Sequence, residues 1–212
     1  MKNRVCLLLA LVLCLSGIAF AATPSKTTKD MSKFVVETKS EKASEENPNL
    51  FLMPVNEATV SEKDMVDYQT RLDICNKELE KLQNAENPLE YFGTIVDADG
   101  AEVSLEPIEG TKLSVTEFSP IVAGNFVEEM GEIKATLLFP TVFEENEIVG
   151  VLIGLVTVEE DGTQTVKWTV FNGIGVKMSN ETEGAISTTL TPEIVKAIED
   201  GIALLAIVRV VQ

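Results

Sequence analysis

Two long apolar runs flank a short turn sequence in the second half of the chain. Residues 148–160 read IVGVLIGLVTVEE, Asp161-Gly162 follows, and residues 163–172 read TQTVKWTVFN. Asp-Gly favours a two-residue type I′ turn, because both central positions of that turn require a positive φ angle. The turn sets Leu155 opposite Trp168 and predicts one core face of the hairpin, formed by Val151, Ile153, Leu155, Val166, Trp168 and Val170.

The chain from residue 89 onward consists of short alternating runs separated by turn residues. Besides the hairpin, the pattern predicts strands at residues 91–98, 101–105, 112–118, 121–127, 132–139, 174–178, 185–190 and 202–211. Before the last strand, Thr191 caps a short helix that starts at Pro192 and ends at Gly201. We therefore expect a mainly β fold, an antiparallel β-sandwich of the Ig-like or jelly-roll-like kind.

A long amphipathic helix is predicted at residues 62–84, with Ser61 as its cap. Its apolar positions recur at alternating spacings of three and four: Met65, Tyr68, Leu72, Cys75, Leu79 and Leu82. One interpretation is a coiled coil with a second copy, in which Cys75 forms an interchain disulfide. The other is a helix that packs on its own domain and buries Cys75. The flanking positions lack complementary charges, which favours the packed helix and a monomer over a homodimer.

The start of the chain has the pattern of a secretory signal. Residues 1–21 combine a basic beginning, an apolar stretch and a final Ala19-Phe20-Ala21. We expect a secreted, periplasmic or cell-surface protein. Residues 22–49 are rich in Ser, Thr, Lys and Glu and predict a flexible polar tether. The expected organisation is a signal peptide (1–21), a tether (22–49), a helical segment (50–88) and a β-sandwich domain (89–212).

The chain is strongly acidic, with a formal net charge of −17, and removing the signal deletes two further positive charges. This charge disfavours nucleic acid and anionic membrane surfaces as partners. We expect no membrane span after signal cleavage and a protein or glycan partner of unknown identity. Of the three cysteines, Cys6 and Cys14 lie in the signal, so an internal disulfide is not expected.

The absence of histidine from the sequence excludes Ser-His and Cys-His catalysis and imidazole metal sites. Two carboxylates could still hydrolyse glycans, and adjacent acids occur at residues 128–129, 144–145 and 159–161. Calcium is the one cofactor with candidate ligands, Asp97, Asp99 and Glu102, in a turn that matches an EF-hand loop only in part. The leading hypothesis is an exported, non-catalytic module for binding, adhesion or assembly. The alternatives are a glycan-active enzyme and a calcium-dependent binding module.

Overall fold

The computed structural model describes residues 33–38, 50–55, 65–106, 109, 111–127, 131–179 and 182–211. The predicted signal peptide and most of the predicted tether lie outside these residues. The described residues form three helices: α1 (Met65–Asn84), α2 (Pro88–Phe92) and α3 (Pro192–Asp200). They also form ten strands: β1 (Lys33–Thr38), β2 (Phe51–Pro54), β3 (Ile95–Val96), β4 (Glu102–Val103), β5 (Lys112–Gly124), β6 (Ile133–Phe139), β7 (Ile148–Val158), β8 (Gln164–Lys177), β9 (Gly184–Leu190) and β10 (Ile202–Val211).

One antiparallel sheet, curled into a half-barrel, contains these strands. Its order is β1-β6-β9-β8-β7-β10-β5-β2, and the short β3 pairs in parallel with β8 and antiparallel with β4. The mainly β prediction is confirmed. The two separate sheets of a sandwich are not found among the described strands. Alternating apolar residues predict that a sheet has a buried face, but they do not tell whether a second sheet or a helix covers it.

The concave face of the half-barrel is filled by α3. Thr191 caps this helix, its hydroxyl accepting a hydrogen bond from the backbone N–H of Ile194 at 3.3 Å, and Pro192 is the first helical residue. The predicted short helix is therefore confirmed. Its buried face packs into an inner core that includes Ile121, Ile133, Leu137, Phe143, Val151, Ile153, Phe171, Ile186, Leu205 and Ile207.

The convex face is covered in part by α1, α2 and β3, which form a second core. This outer core contains Cys75, Leu79, Leu82, Phe92, Ile95, Leu152, Trp168, Leu204 and Ala206. Strand β10 lies between the two cores, so Ala203, Leu205 and Ile207 point inward while Leu204, Ala206 and Val208 point outward. Burial on both faces explains why this strand is almost continuously apolar.

The β7–β8 hairpin differs from its prediction by one residue of register. Gly154, and not Leu155, lies opposite Trp168. The connection is a three-residue loop, because Glu159 donates its backbone N–H to the carbonyl of Thr163 at 2.9 Å and only Gly162 has a positive φ, of 82°. The predicted type I′ turn and single core face are therefore wrong. Val151 and Ile153 enter the inner core, whereas Trp168 enters the outer core.

Strand β1 lies within the segment that was expected to be a tether. Its six residues pair with β6 from Lys33↔Leu138 to Thr38↔Ile133. The composition around it is polar, but the edge of β6 supplies backbone hydrogen-bond partners that composition does not reveal. The tether prediction does not hold for these six residues.

Two further strand predictions differ from the structure, one around Pro120 and one at the start of α2. Residues 112–118 and 121–127 were predicted as two strands, but β5 continues through Pro120. The carbonyl of Pro120 accepts the backbone N–H of Val55 at 2.9 Å, and the N–H that proline lacks would face Val55, just beyond the end of the edge strand β2. Residues 91 and 92 are helical because the Asn87 side chain caps α2, so the strand predicted at 91–98 is the short β3.

Candidate functional site

Two of the acidic clusters that suggested a hydrolase, residues 144–145 and 159–161, are far apart in the fold. Glu144 and Glu145 lie beside Lys177, where the Lys177 Nζ is 3.1 Å from a Glu144 carboxylate oxygen and the Lys177 backbone N–H donates to Glu145 at 3.0 Å. The acids at 159–161 lie at the opposite end of the hairpin. An 11-residue strand separates the two ends by about 35 Å. Residues 128 and 129 lie outside the described residues.

The predicted calcium ligands form an ordinary turn. One carboxylate oxygen of Asp97 accepts the backbone N–H of Asp99 at 3.0 Å and that of Ala101 at 2.9 Å, so it closes the turn internally. Within the described ranges, no group of three or more acids or cysteines lies together in a way that could hold a metal ion. Asp97, Asp99 and Glu102 are thus not brought together as a cation site.

Cys75 faces the sheet from the middle of α1. Its side chain is buried in the outer core, and burial together with the nearby carboxylate of Glu78 raises the pKa of the thiol to about 12. This position agrees with the helix packed on its own domain. The interchain disulfide stays a prediction for experiment.

Glu78 is an acidic residue on the buried side of α1, and it is only 2 % exposed. One of its carboxylate oxygens lies 2.6 Å from the Lys81 Nζ, and the other accepts the hydroxyl hydrogen of Tyr91 at 3.2 Å. Burial and the Glu78 charge both raise the pKa of Tyr91. The heptad pattern placed Glu78 at a flanking position, so sequence reasoning missed it. In the fold, Glu78 forms an ion pair with Lys81, whose side chain is 52 % exposed.

An open groove lies between the last two turns of α1 and the β7–β8 loop. Its volume is about 690 Å³. The helix and the loop supply mostly polar residues to its walls: Lys77, Glu80, Lys81, Asn84, Ala85, Gly162, Thr163 and Gln164. The loop is fixed on its side of the groove because the Asp161 carboxylate accepts the backbone N–H of Thr163 at 2.8 Å.

Gln164 is the unusual residue of this groove. It is the first residue of β8, on the same face of the strand as Val166 and Trp168, and so it points toward α1. Its side-chain oxygen Oε1 is buried, and no hydrogen-bond donor among the described residues reaches it. Leaving such an oxygen unpaired costs about 1–3 kcal/mol. A glutamine just after a turn looks like an ordinary surface residue, so the burial of this oxygen was not predictable from the sequence.

The described part of the chain contains no helix long and apolar enough to cross a membrane. The chain matches no protein-family model, no curated protein and no solved structure.

Proposed function

We propose that this protein is an exported, non-catalytic binding module whose ligand lies in the groove between α1 and the β7–β8 loop. Export rests on the signal pattern of residues 1–21. The observation that carries the binding role is the groove itself, with a volume of about 690 Å³ and charged and amide side chains along its helix wall. Lys77, Lys81 and Asn84 offer hydrogen-bond donors to a ligand there, and Glu80 offers an acceptor.

The groove has rigid walls, which supports a binding role. α1 is held on the sheet by Cys75, Leu79 and Leu82 in the outer core. Near the start of the helix, the Arg71 guanidinium donates to the carbonyl of Gly201 at 2.9 Å. A helix that is already in place loses little backbone entropy when a ligand arrives, so more of the contact energy appears as affinity.

The positions of the acids favour binding over glycan hydrolysis. A glycosidase needs two carboxyl groups about 5 to 10 Å apart across a cleft. The acidic clusters at 144–145 and 159–161 lie at opposite ends of the hairpin, and Glu80 is the carboxylate that lines the groove. In a module for adhesion or assembly, the groove would be the contact site.

The test is a binding screen of the ¹⁵N-labelled protein by NMR, with a panel of oligosaccharides and short polar peptides as probes. We expect at least one probe to move the backbone signals of Gly162, Thr163 and Gln164, and to leave those of β6 unchanged. Asn84→Leu, in the groove wall, should weaken the response, whereas Gln69→Leu, which makes the same kind of change at the other end of α1, should preserve it.

Two results contradict the proposal. One is a panel in which no probe moves the groove signals. The other is turnover of a glycan or ester substrate that disappears when a single acid, such as Glu80, is replaced by its amide.

A further inference from the structure

A row of apolar side chains crosses the convex face of the sheet at the end far from the β7–β8 loop. Ile148 pairs with Ile174, and Val210 pairs with Leu113. The register of β10 with β7 makes Ile148 and Val210 neighbours as well. The row therefore crosses four adjacent strands over roughly 14 Å. We call it the Ile148 row, and its order is Leu113, Val210, Ile148 and Ile174.

The Ile148 row lies on the face that carries the outer core, yet solvent reaches it. Each member stands two or four residues from a residue of its own strand that packs in the outer core, so it points to the same convex face. Val208 is buried there, whereas Val210 is 41 % exposed. Ile148 is 77 % exposed and Ile174 is 50 % exposed. Neighbouring exposed apolar side chains of this kind mark an interaction surface.

Charges at this end of the sheet nearly balance, in contrast to the chain as a whole, whose formal net charge is −17. Two ion pairs, Glu144 with Lys177 and Glu147 with Arg209, lie beside the row. The described charged residues that flank the row are Glu144, Glu145, Glu147 and Glu183 and the basic Lys112, Lys177 and Arg209. The exposed acids of residues 159–161 lie at the other end of the hairpin, about 35 Å away. Two copies that meet at the row therefore keep those acids apart.

A second copy of the chain fits the Ile148 row better than a basic partner does. A basic partner is selected by an excess of acidic groups, and this end of the sheet has little excess. Ile148, Ile174 and Val210 are β-branched, and such side chains interdigitate when two sheets pack face to face about 10 Å apart. A symmetric contact requires only that the surface complement itself.

We infer that two copies of this protein associate face to face through their Ile148 rows, about a two-fold axis. Ile148 lies near the middle of the short row, so the two Ile148 side chains lie close to the axis and to each other. A row of four side chains exposes an area on the order of 300 Å², against about 800 Å² per partner in a stable complex. The dimer is therefore weak, and the groove beside the β7–β8 loop stays open in it.

Sedimentation velocity of the chain from residue 22 onward, at about 10 μM to about 1 mM, measures this association. We expect the weight-average sedimentation coefficient to rise with concentration, and to rise further in high salt, which screens the repulsion between two acidic chains. Ile148→Thr keeps a β-branched side chain and should weaken the association at least tenfold. Val158→Thr should leave it unchanged, because Val158 is an exposed residue at the other end of the same strand.

Opposite charges at position 148 test the symmetry of the contact. Ile148→Lys and Ile148→Glu should each stay monomeric over the same concentration range, because two like charges meet near the axis. An equimolar mixture of the two variants should contain dimer. Because Ile148 is exposed, both variants should melt at the wild-type temperature, so a loss of association is not a loss of fold.

Three results overturn the inference. The first is a wild-type protein that is still monomeric at about 1 mM, and the second is equal association in the wild type and Ile148→Thr. The third is a mixture of the two charged variants that associates no more than either alone. A monomeric wild type that floats with phosphatidylcholine vesicles, when Ile148→Thr does not, would assign the row to a lipid surface instead. None of these results bears on the groove, whose ligand is detected at the β7–β8 loop.

Discussion

Arg209 and Glu147 form a two-point ion pair that fastens the loop between β6 and β7 to the central strand β10. The Nε of Arg209 is 2.6 Å from one carboxylate oxygen, and its Nη2 is 2.8 Å from the other. The guanidinium also donates to the carbonyl of Val142 at 3.1 Å and lies 4.8 Å from the centre of the Phe143 ring. Phe143 is fully buried in the inner core, so this ion pair holds in place the loop that inserts Phe143 there.

Glu147→Gln should destabilise the protein, because it leaves the largely buried Arg209 without its charged partner. We expect a loss of about 1–3 kcal/mol in the free energy of unfolding, measured by urea denaturation. Glu144→Gln makes the same chemical change in the same loop, but its pair with Lys177 is exposed. That control should cost less than about 1 kcal/mol. Equal losses in the two variants would show that Arg209 gains little from the charge of Glu147.

Gly154→Ala should destabilise the hairpin through a clash with Trp168. An added Cβ would lie 2.7 Å from Cζ3 of the indole and 2.7 Å from a methyl group of Val166. Overpacking of this kind costs about 1–3 kcal/mol. Gly150→Ala is the matched control, because its nearest neighbour, a methyl group of Leu152, lies at 3.3 Å. Tryptophan fluorescence during urea unfolding reports both variants. A Gly150→Ala protein less stable than Gly154→Ala would contradict the packing described for Trp168.

Local sequence signals predicted an individual helix or strand well where several signals occur together. The cap, the proline and the closing glycine at residues 191–201 defined α3, and the apolar run after it defined β10. The half-barrel was not predictable in this way, because β10 is buried on both faces and the two covering layers come from distant parts of the chain. The hairpin register was missed because Asp161 supports a three-residue loop as well as the two-residue turn.

The groove was beyond reach of the sequence for a related reason. Lys81 and Gln164 are more than 80 positions apart in the chain and line the same groove only because α1 packs on the sheet. The burial of Glu78 has the same origin. The heptad pattern did locate the contact face of α1, since Tyr68, Cys75, Leu79 and Leu82 are all buried.

The thiol of Cys75 should be almost unreactive in the folded protein. A pKa of about 12, against an ordinary value of 9.0, lowers the thiolate fraction at pH 8 on the order of a thousandfold. We expect slow alkylation by iodoacetamide in buffer, fast alkylation in urea, and a monomer band on a non-reducing gel. Cys75→Ser is the control for the alkylation signal. A dimer band that disappears with a reductant and in Cys75→Ser would establish the interchain disulfide instead.

The same shift predicts a loss of stability in alkaline solution. The folded-state pKa of Cys75 is raised above its unfolded value, so the contribution of this group is fully present below pH 9 and is lost as the pH rises from about 9 to about 12. Cys75→Ala should reduce the slope of unfolding free energy against pH in this window. Unfolding in urea at several pH values measures that slope, and an unchanged slope in the variant would rule out the thiol as its source.

Glu117 should make the protein less stable as the pH rises from acid to neutral. This acid lies on β5, where burial raises its pKa above the ordinary 4.5, while the hydroxyl of Thr141, which donates to it at 2.8 Å, opposes part of the shift. Because the folded-state pKa is the higher one, the stabilising contribution is fully present below the unfolded value and is lost as the pH rises through the folded value.

Glu117→Gln keeps the shape and an acceptor for Thr141 but removes the titration. Its stability relative to the wild type should therefore rise between pH 4 and pH 7, as measured by urea unfolding at each pH. The stability of Thr141→Val relative to the wild type should instead fall between pH 4 and pH 7. Without the Thr141 hydroxyl, the charged form of Glu117 loses its hydrogen-bond donor, so burying that charge at pH 7 destabilises the folded protein more. A Glu117→Gln protein whose difference from the wild type is constant from pH 4 to pH 7 would show that Glu117 ionises equally in the folded and unfolded chains.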